Sequence, residues 1–249
     1  MLDMTLFRKP AFVSVSFATF CLGAGMFALF PFLSIYLQDV LGYSPLGAGV
    51  RFLPLTAFVF AVPLATRRVA PRLGLRTMLA GGLVLVALAL LLMHGLSASS
   101  GWTALLAGFI LGGIGVGIAN PAIAGAALRT VDPGRTGMAS GFNNTCRLAG
   151  VAIGVAALGA VLEHSIATSL APTLGPHDRV FAEAVSSAGV RAAAGRPLLV
   201  HAASTAFVTG MNDLFVIGAV AVFAGAVAVA VFLRTRAPAT APVTEPAQP

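Results

Sequence analysis

Residues Gly137 to Leu162 read GMASGFNNTCRLAGVAIGVAALGAVL, an apolar run of 26 residues interrupted by two asparagines and an arginine. At 1.5 Å of rise per residue, about twenty helical residues cross the ~30 Å hydrocarbon core of a bilayer, so this stretch is long enough to span it. Asn143 and Arg147 are four apart, and Gly150 and Gly154 continue the same helical face beyond them. Lipid cannot cover that face. A guanidinium near the bilayer interior costs several kcal/mol unless it meets water, a partner or backbone carbonyls. Glycines four apart let a second helix approach closely. A single such helix therefore requires neighbours.

The rest of the chain supplies them. It is 58% hydrophobic and only 9% charged, with mean hydropathy +0.95, which excludes a soluble globular domain and indicates an all-α, polytopic membrane bundle. Spans are expected at 12–37, 46–64, 78–94, 103–128, 137–162 and 203–233, within one domain covering residues 1–236. A longer outer loop, 163–202, carries an Ala-rich stretch that reads as a short surface helix. The Pro/Ala/Thr tail, 237–249, reads as disordered and cytoplasmic. The first apolar run is a full span with no small-residue cleavage site, so it reads as an uncleaved anchor. Span three, nearly pure Leu, Val and Ala, is expected to be the most lipid-exposed.

Alternating the loops sorts the charges. Arg8, Lys9, Arg67, Arg68, Arg72, Arg76, Arg129, Arg135, Arg234 and Arg236 fall on one side, against Arg179, Arg191 and Arg196 on the other. By the positive-inside rule both termini are cytoplasmic. Basic residues dispersed over loops in this way do not form a nucleic-acid footprint, so no nucleic-acid partner is expected. Cys21 and Cys146 both lie in apolar spans and imply no disulfide framework. Three spans on either side of the midpoint fit a three-plus-three inverted repeat, on span count alone.

Three motifs carry a resemblance to a known family: YLQDVLGYSPLGAGVRFLP from Tyr36 to Pro54, the pair Asn120-Pro121 in a glycine-rich span, and GMASGFNNTCRLAGVAIGVA from Gly137 to Ala156. Together they resemble the second half of the fourteen-helix drug:proton antiporter branch of the major facilitator superfamily, over nearly the whole chain. The resemblance implies a bacterial inner-membrane exporter of small amphipathic, often cationic compounds, driven by protons. It also implies that this chain is half a transporter, one wall of a central cavity faced by spans one, four and five. The partner would be a missing N-terminal half or a second copy. The other expectation is a truncated inactive fragment, or a small membrane scaffold or regulatory protein pairing with another transporter chain.

Candidate residues follow. Asn120, Asn143, Asn144 and Arg147 are candidates for the substrate path, with helix locking as the alternative role for the polar groups of span five. Tyr36 and Gln38, at the outer end of span one, are candidates for an outer gate. Arg72, Gly74 and Arg76 fit the superfamily's cytoplasmic gating motif G-x-x-x-D-R-x-G-R-R, from which the loop departs with Pro71 at the Asp position and Arg67 at the first Gly. Gly112, Gly117, Gly150 and Gly154 are candidates for helix packing. Arg51 is expected to snorkel outward from the start of span two. His164, His177 and His201 have no metal-ligand spacing, and no cofactor is called for. Ser140 lies in GMASG, which is not G-x-S-x-G, and His94 belongs to the opposite face of the membrane, so no enzyme is expected. Proton coupling needs a titratable group inside the membrane, and Asp39, Glu163 and Asp213 all sit near outer span ends. Asp132 lies in a cytoplasmic loop, and the resemblance implies that the coupling acids belong largely to the absent half.

Overall fold

The computed structural model describes residues 9–67, 73–97, 100–129, 136–174, 185 and 197–233. Among these, six helices are long and apolar enough to cross a membrane. They are α1 (Pro10–Val40), α2 (Pro45–Thr66), α3 (Leu75–Met93), α4 (Thr103–Arg129), α5 (Thr136–Leu174) and α6 (Pro197–Phe232). No strand occurs among the described residues. Proline bends α1: a 3₁₀ turn at Phe27–Leu29 precedes Pro31, and a π turn at Tyr36–Val40 closes the helix.

Close glycine contacts set which helices are neighbours. A Cβ at Gly25 of α1 would lie 2.5 Å from the Gly218 carbonyl oxygen of α6, and one at Gly218 would lie 2.7 Å from that of Gly25. The same reciprocal arrangement joins α3 to α4, where Cβ atoms at Gly82 and Gly115 would lie 2.9 and 2.8 Å from each other's carbonyl oxygens. Gly23 of α1 meets the Arg147 carbonyl of α5, while Gly113 of α4 meets the Leu55 carbonyl of α2. Exchanging α1, α2 and α3 for α4, α5 and α6 thus maps one set of contacts onto the other. Because three crossings separate the two sets, the repeat is inverted.

This symmetry has a sequence trace: Gly23-x-Gly25 followed by Pro31 in α1, and Gly113-x-Gly115 followed by Pro121 in α4, at identical spacing. The surrounding residues differ so thoroughly that only the backbone-approach positions and the kink are shared. Packing follows the same plan. α3 and α6 pack against each other and back α1 and α4, while α2 and α5 stand at the flanks on α4 and α1.

Two expectations are corrected here. α3 is not the most exposed helix: its most apolar stretch is 39% buried, whereas those of α2 and α5 are 17% and 22% buried. A helix apolar all round fits lipid or a protein interior equally, and α3 lies against both α4 and α6. The outer segment is also more helical than a loop. Helix continues over 163–174 at the end of α5 and 197–202 at the start of α6, where Leu162, Ile166 and Leu170 are buried alongside Ala203, Ala206 and Phe207. At 39 residues α5 is ~58 Å long, about twice the hydrocarbon thickness. The expected Ala-rich surface helix, apart from Val185, and the tail 237–249 lie outside the described residues.

Asn212 of α6 pins the turn that ends α3. Its side-chain oxygen accepts from the Gly95 and Leu96 amides at 3.1 and 3.0 Å, and its amide donates to the Leu96 carbonyl at 2.9 Å. Three backbone bonds from one side chain, at roughly 0.5–1.5 kcal/mol each, put the cost of Asn212→Ala at about 2–3 kcal/mol. Faster hydrogen exchange at Gly95 and Leu96 should accompany that loss, with exchange in the middle of α1 changed less.

Candidate functional site

α5 carries its polar groups onto a cleft of about 320 Å³ shared with α1 and α4. Thr19 lines it from α1, Asn120, Ile123 and Ala124 from α4, and Ser140, Asn143, Asn144 and Arg147 from α5. The four residues expected to line a substrate path therefore share one cleft. Thr19, Ser140, Ile123 and Ala124 were not anticipated there. A hydroxyl inside an apolar span, such as Thr19, is weak evidence in sequence because it can bond its own helix, as Thr19 does with the Val15 carbonyl at 2.9 Å.

The cleft holds two internal hydrogen bonds. Thr19 Oγ1 lies 2.7 Å from Asn143 Oδ1, joining α1 to α5, and shares its single hydroxyl hydrogen between that oxygen and the Val15 carbonyl. Arg147 Nη2 donates to Asn144 Oδ1 at 2.7 Å, within α5 itself. The guanidinium carbon also lies 6.0 Å from the Phe27 ring centroid of α1. Asn143, rather than Arg147, thus makes the polar bond between helices. Thr19→Val keeps the shape and removes that bond, for an expected loss of about 1 kcal/mol in a denaturation series.

Glycine fixes the height of these groups. Gly154 packs so closely on α1 that an added Cβ would lie 2.6 Å from the Ala24 carbonyl oxygen and 2.7 Å from Ala28 Cβ. Gly150 sits against the Phe20 backbone in the same way. On α4, Gly117 faces Val62 and Phe58 of α2 at 3.0 and 3.1 Å, and Gly112 faces Met26 of α1 and Ala89 of α3 at 3.3 and 3.5 Å.

The other candidates lie away from the cleft. Tyr36 is fully buried and its hydroxyl donates to the Ser100 carbonyl at 3.3 Å, on the α3–α4 connection. Gln38 donates to Ser34 Oγ at 2.7 Å on its own helix, so these two residues bond different partners. Gly74 has φ +71 and forms the N-cap of α3. Arg76 donates to the Ala230 carbonyl in the last turn of α6, a favourable place for a cation. Arg72 lies outside the described residues.

Arg51 reaches back toward the outer end of α2, as expected, and is held there. Its guanidinium carbon stacks 3.3 Å from the Tyr43 ring centroid and 5.6 Å from that of Trp102, and Nη1 donates to the Gly47 carbonyl at 2.8 Å. Contact with two aromatic faces holds the guanidinium at that end.

A sequence model of the Major Facilitator Superfamily matches residues 15–249. The chain belongs to that superfamily. Among curated relatives of this major facilitator chain, the multidrug efflux pump LfrA of Mycolicibacterium smegmatis is 30% identical over 245 residues, covering 94% of this chain and 48% of LfrA. The multidrug resistance protein Stp of Mycobacterium tuberculosis is 35% identical over 180 residues, covering 71% of this chain and 32% of Stp. The puromycin resistance protein pur8 of Streptomyces alboniger is 38% identical over 152 residues, covering 59% of this chain and 30% of pur8. The chain spans about half the length, or less, of these relatives. As a major facilitator chain with six crossing helices, it is a multi-pass membrane protein.

Proposed function

We propose that this chain forms one wall of the substrate path in a proton-coupled exporter of small drug-like molecules. In this reading it occupies the place of the second half of a fourteen-helix drug:proton antiporter, with a second six-helix bundle supplying the opposite wall. The observation that carries the reading is the cleft on α5. Asn144 and Ser140 are exposed there and Arg147 is half-buried, on a helix whose apolar stretch is only 22% covered by its own bundle. Lipid satisfies none of these groups, so water or a facing protein wall must. Resistance and efflux relatives support the direction and the substrate type.

The placement of the remaining parts follows from charge and position. The basic loops put both termini on the cytoplasmic side of a bacterial inner membrane. Tyr36 and Gln38 would serve the outer gate, and Arg72, Gly74 and Arg76 the cytoplasmic one, through the tie from Arg76 to α6. Among the described residues the carboxylates are Asp39, Glu163 and Asp213. Asp39 lies in the closing turn of α1, and Asp213, bonded by Ser165 at 2.7 Å, is level with the end of α3 that Asn212 pins. None of these three lies at mid-membrane, which supports a coupling acid in the opposing bundle. An inert fragment or scaffold would have no use for polar groups converging from three helices.

Reconstitution tests this. Proteoliposomes holding only the purified chain should show no transport of amphipathic dyes under an imposed proton gradient, and co-reconstitution with the opposing bundle should establish it. Gradient-driven transport by the chain alone would overturn the two-wall arrangement.

A further inference from the structure

We propose that the cleft selects ligands bearing an acidic oxygen, a carboxylate, phenolate or enolate on an apolar frame, over organic cations. This rests on the cleft being part of the substrate path and names the chemistry of that path. Hydrogen-bond bookkeeping carries it. A guanidinium has only donors, so the atom of Asn144 facing Arg147 at 2.7 Å is its oxygen. That bond uses the acceptor of Asn144 and leaves its NH2 group. Thr19 shares its one hydroxyl hydrogen between the Val15 carbonyl and Asn143 Oδ1, so that contact sets no donor balance at Asn143. The Arg147–Asn144 bond therefore engages an acceptor, and what remains on these two side chains is weighted toward donors and one positive charge.

Among the described residues, no carboxylate lines the cleft. No aromatic ring is among the described lining residues, and the Phe27 ring nearby is already faced by the Arg147 guanidinium at 6.0 Å. An anionic oxygen would instead gain charge-assisted bonds from Arg147 and the Asn144 amide, in a site partly screened from water. Ile123 and Ala124 supply the apolar side for the rest of the ligand.

The test is binding to the chain in lipid nanodiscs, measured by equilibrium dialysis with two probes of one shape and opposite charge, 4-(1-pyrenyl)butanoate and 4-(1-pyrenyl)butyltrimethylammonium. Empty nanodiscs correct for partition into lipid. The anion is expected to bind at least tenfold more tightly than the cation. Arg147→Gln should weaken the anion about tenfold or more and leave the cation unchanged or improved. Asn144→Asp, which places a carboxylate one turn from Arg147, should reverse the preference. Should either variant fail to fold, Ser140→Glu at the exposed edge of the cleft applies the same charge change. Equal binding of the two probes, or an anion affinity indifferent to all three substitutions, overturns the proposal while leaving the path reading intact. If wild type binds neither probe above empty nanodiscs, the proposal falls, while the path reading stands or falls on the reconstitution with the opposing bundle.

Discussion

Gly23→Ala should destabilise the bundle by about 1–3 kcal/mol and disable transport without altering any cleft side chain. The added methyl would lie 2.5 Å from the Arg147 carbonyl oxygen and 3.2 Å from the Val151 amide nitrogen. Both are backbone atoms of a helix and cannot turn aside as a side-chain tip would. α5 must therefore shift at the level of Arg147, which also strains the Thr19–Asn143 bond. Gly81 of α3 provides the control, because a Cβ there meets nothing within 4 Å. Gly81→Ala should be neutral or stabilising by up to about 1 kcal/mol, from helix propensity alone. Thermal denaturation of the detergent-solubilised chain, followed by loss of the monodisperse peak, separates the two. Equal midpoints for Gly23→Ala and wild type would show that the α1–α5 approach is looser than described.

Arg147→Leu should reduce transport by about 10- to 100-fold while leaving the fold intact. Bonds to charged groups are worth about 1.5–3 kcal/mol, and each 1.4 kcal/mol is a factor of ten. The fold should survive because the hydrogen bond Arg147 makes is to Asn144, one turn away on the same helix, so deleting it unlocks no neighbouring helix. Arg147→Lys keeps the charge without the planar fork and should retain part of the activity. Transport rates with denaturation midpoints on the same preparations distinguish the roles. A lowered midpoint with transport unchanged would make Arg147 a packing residue.

Much of this was legible from residue types. Charge in an apolar span costs so much that Arg147 alone required a protein interior, and the gap from Asn143 to Arg147 placed both on one helical face. The six crossings needed only length and hydropathy. What escaped was whatever depends on partners distant in sequence. The inverted repeat left only G-x-G and a proline in α1 and α4, since backbone approach constrains glycine while lipid accepts any apolar neighbour. Nothing in the sequence marks Asn212, yet its side-chain amide is bonded to residues 95 and 96. The exposure of α3 was misjudged because lipid and packed helices present the same apolar surroundings to leucine.

Spin labels at position 144 of α5 and position 223 of α6, each in a background lacking Cys21 and Cys146, test the main claim most directly. In the assembled protein in lipid, the label at Asn144 should be accessible to a water-soluble nickel complex or immobilised against protein, and the one at Phe223, 52% exposed on an apolar face, should see oxygen dissolved in the acyl chains. An oxygen-rich, nickel-poor environment at position 144 would mean that the polar face of α5 lies in lipid, and the cleft would not be a path.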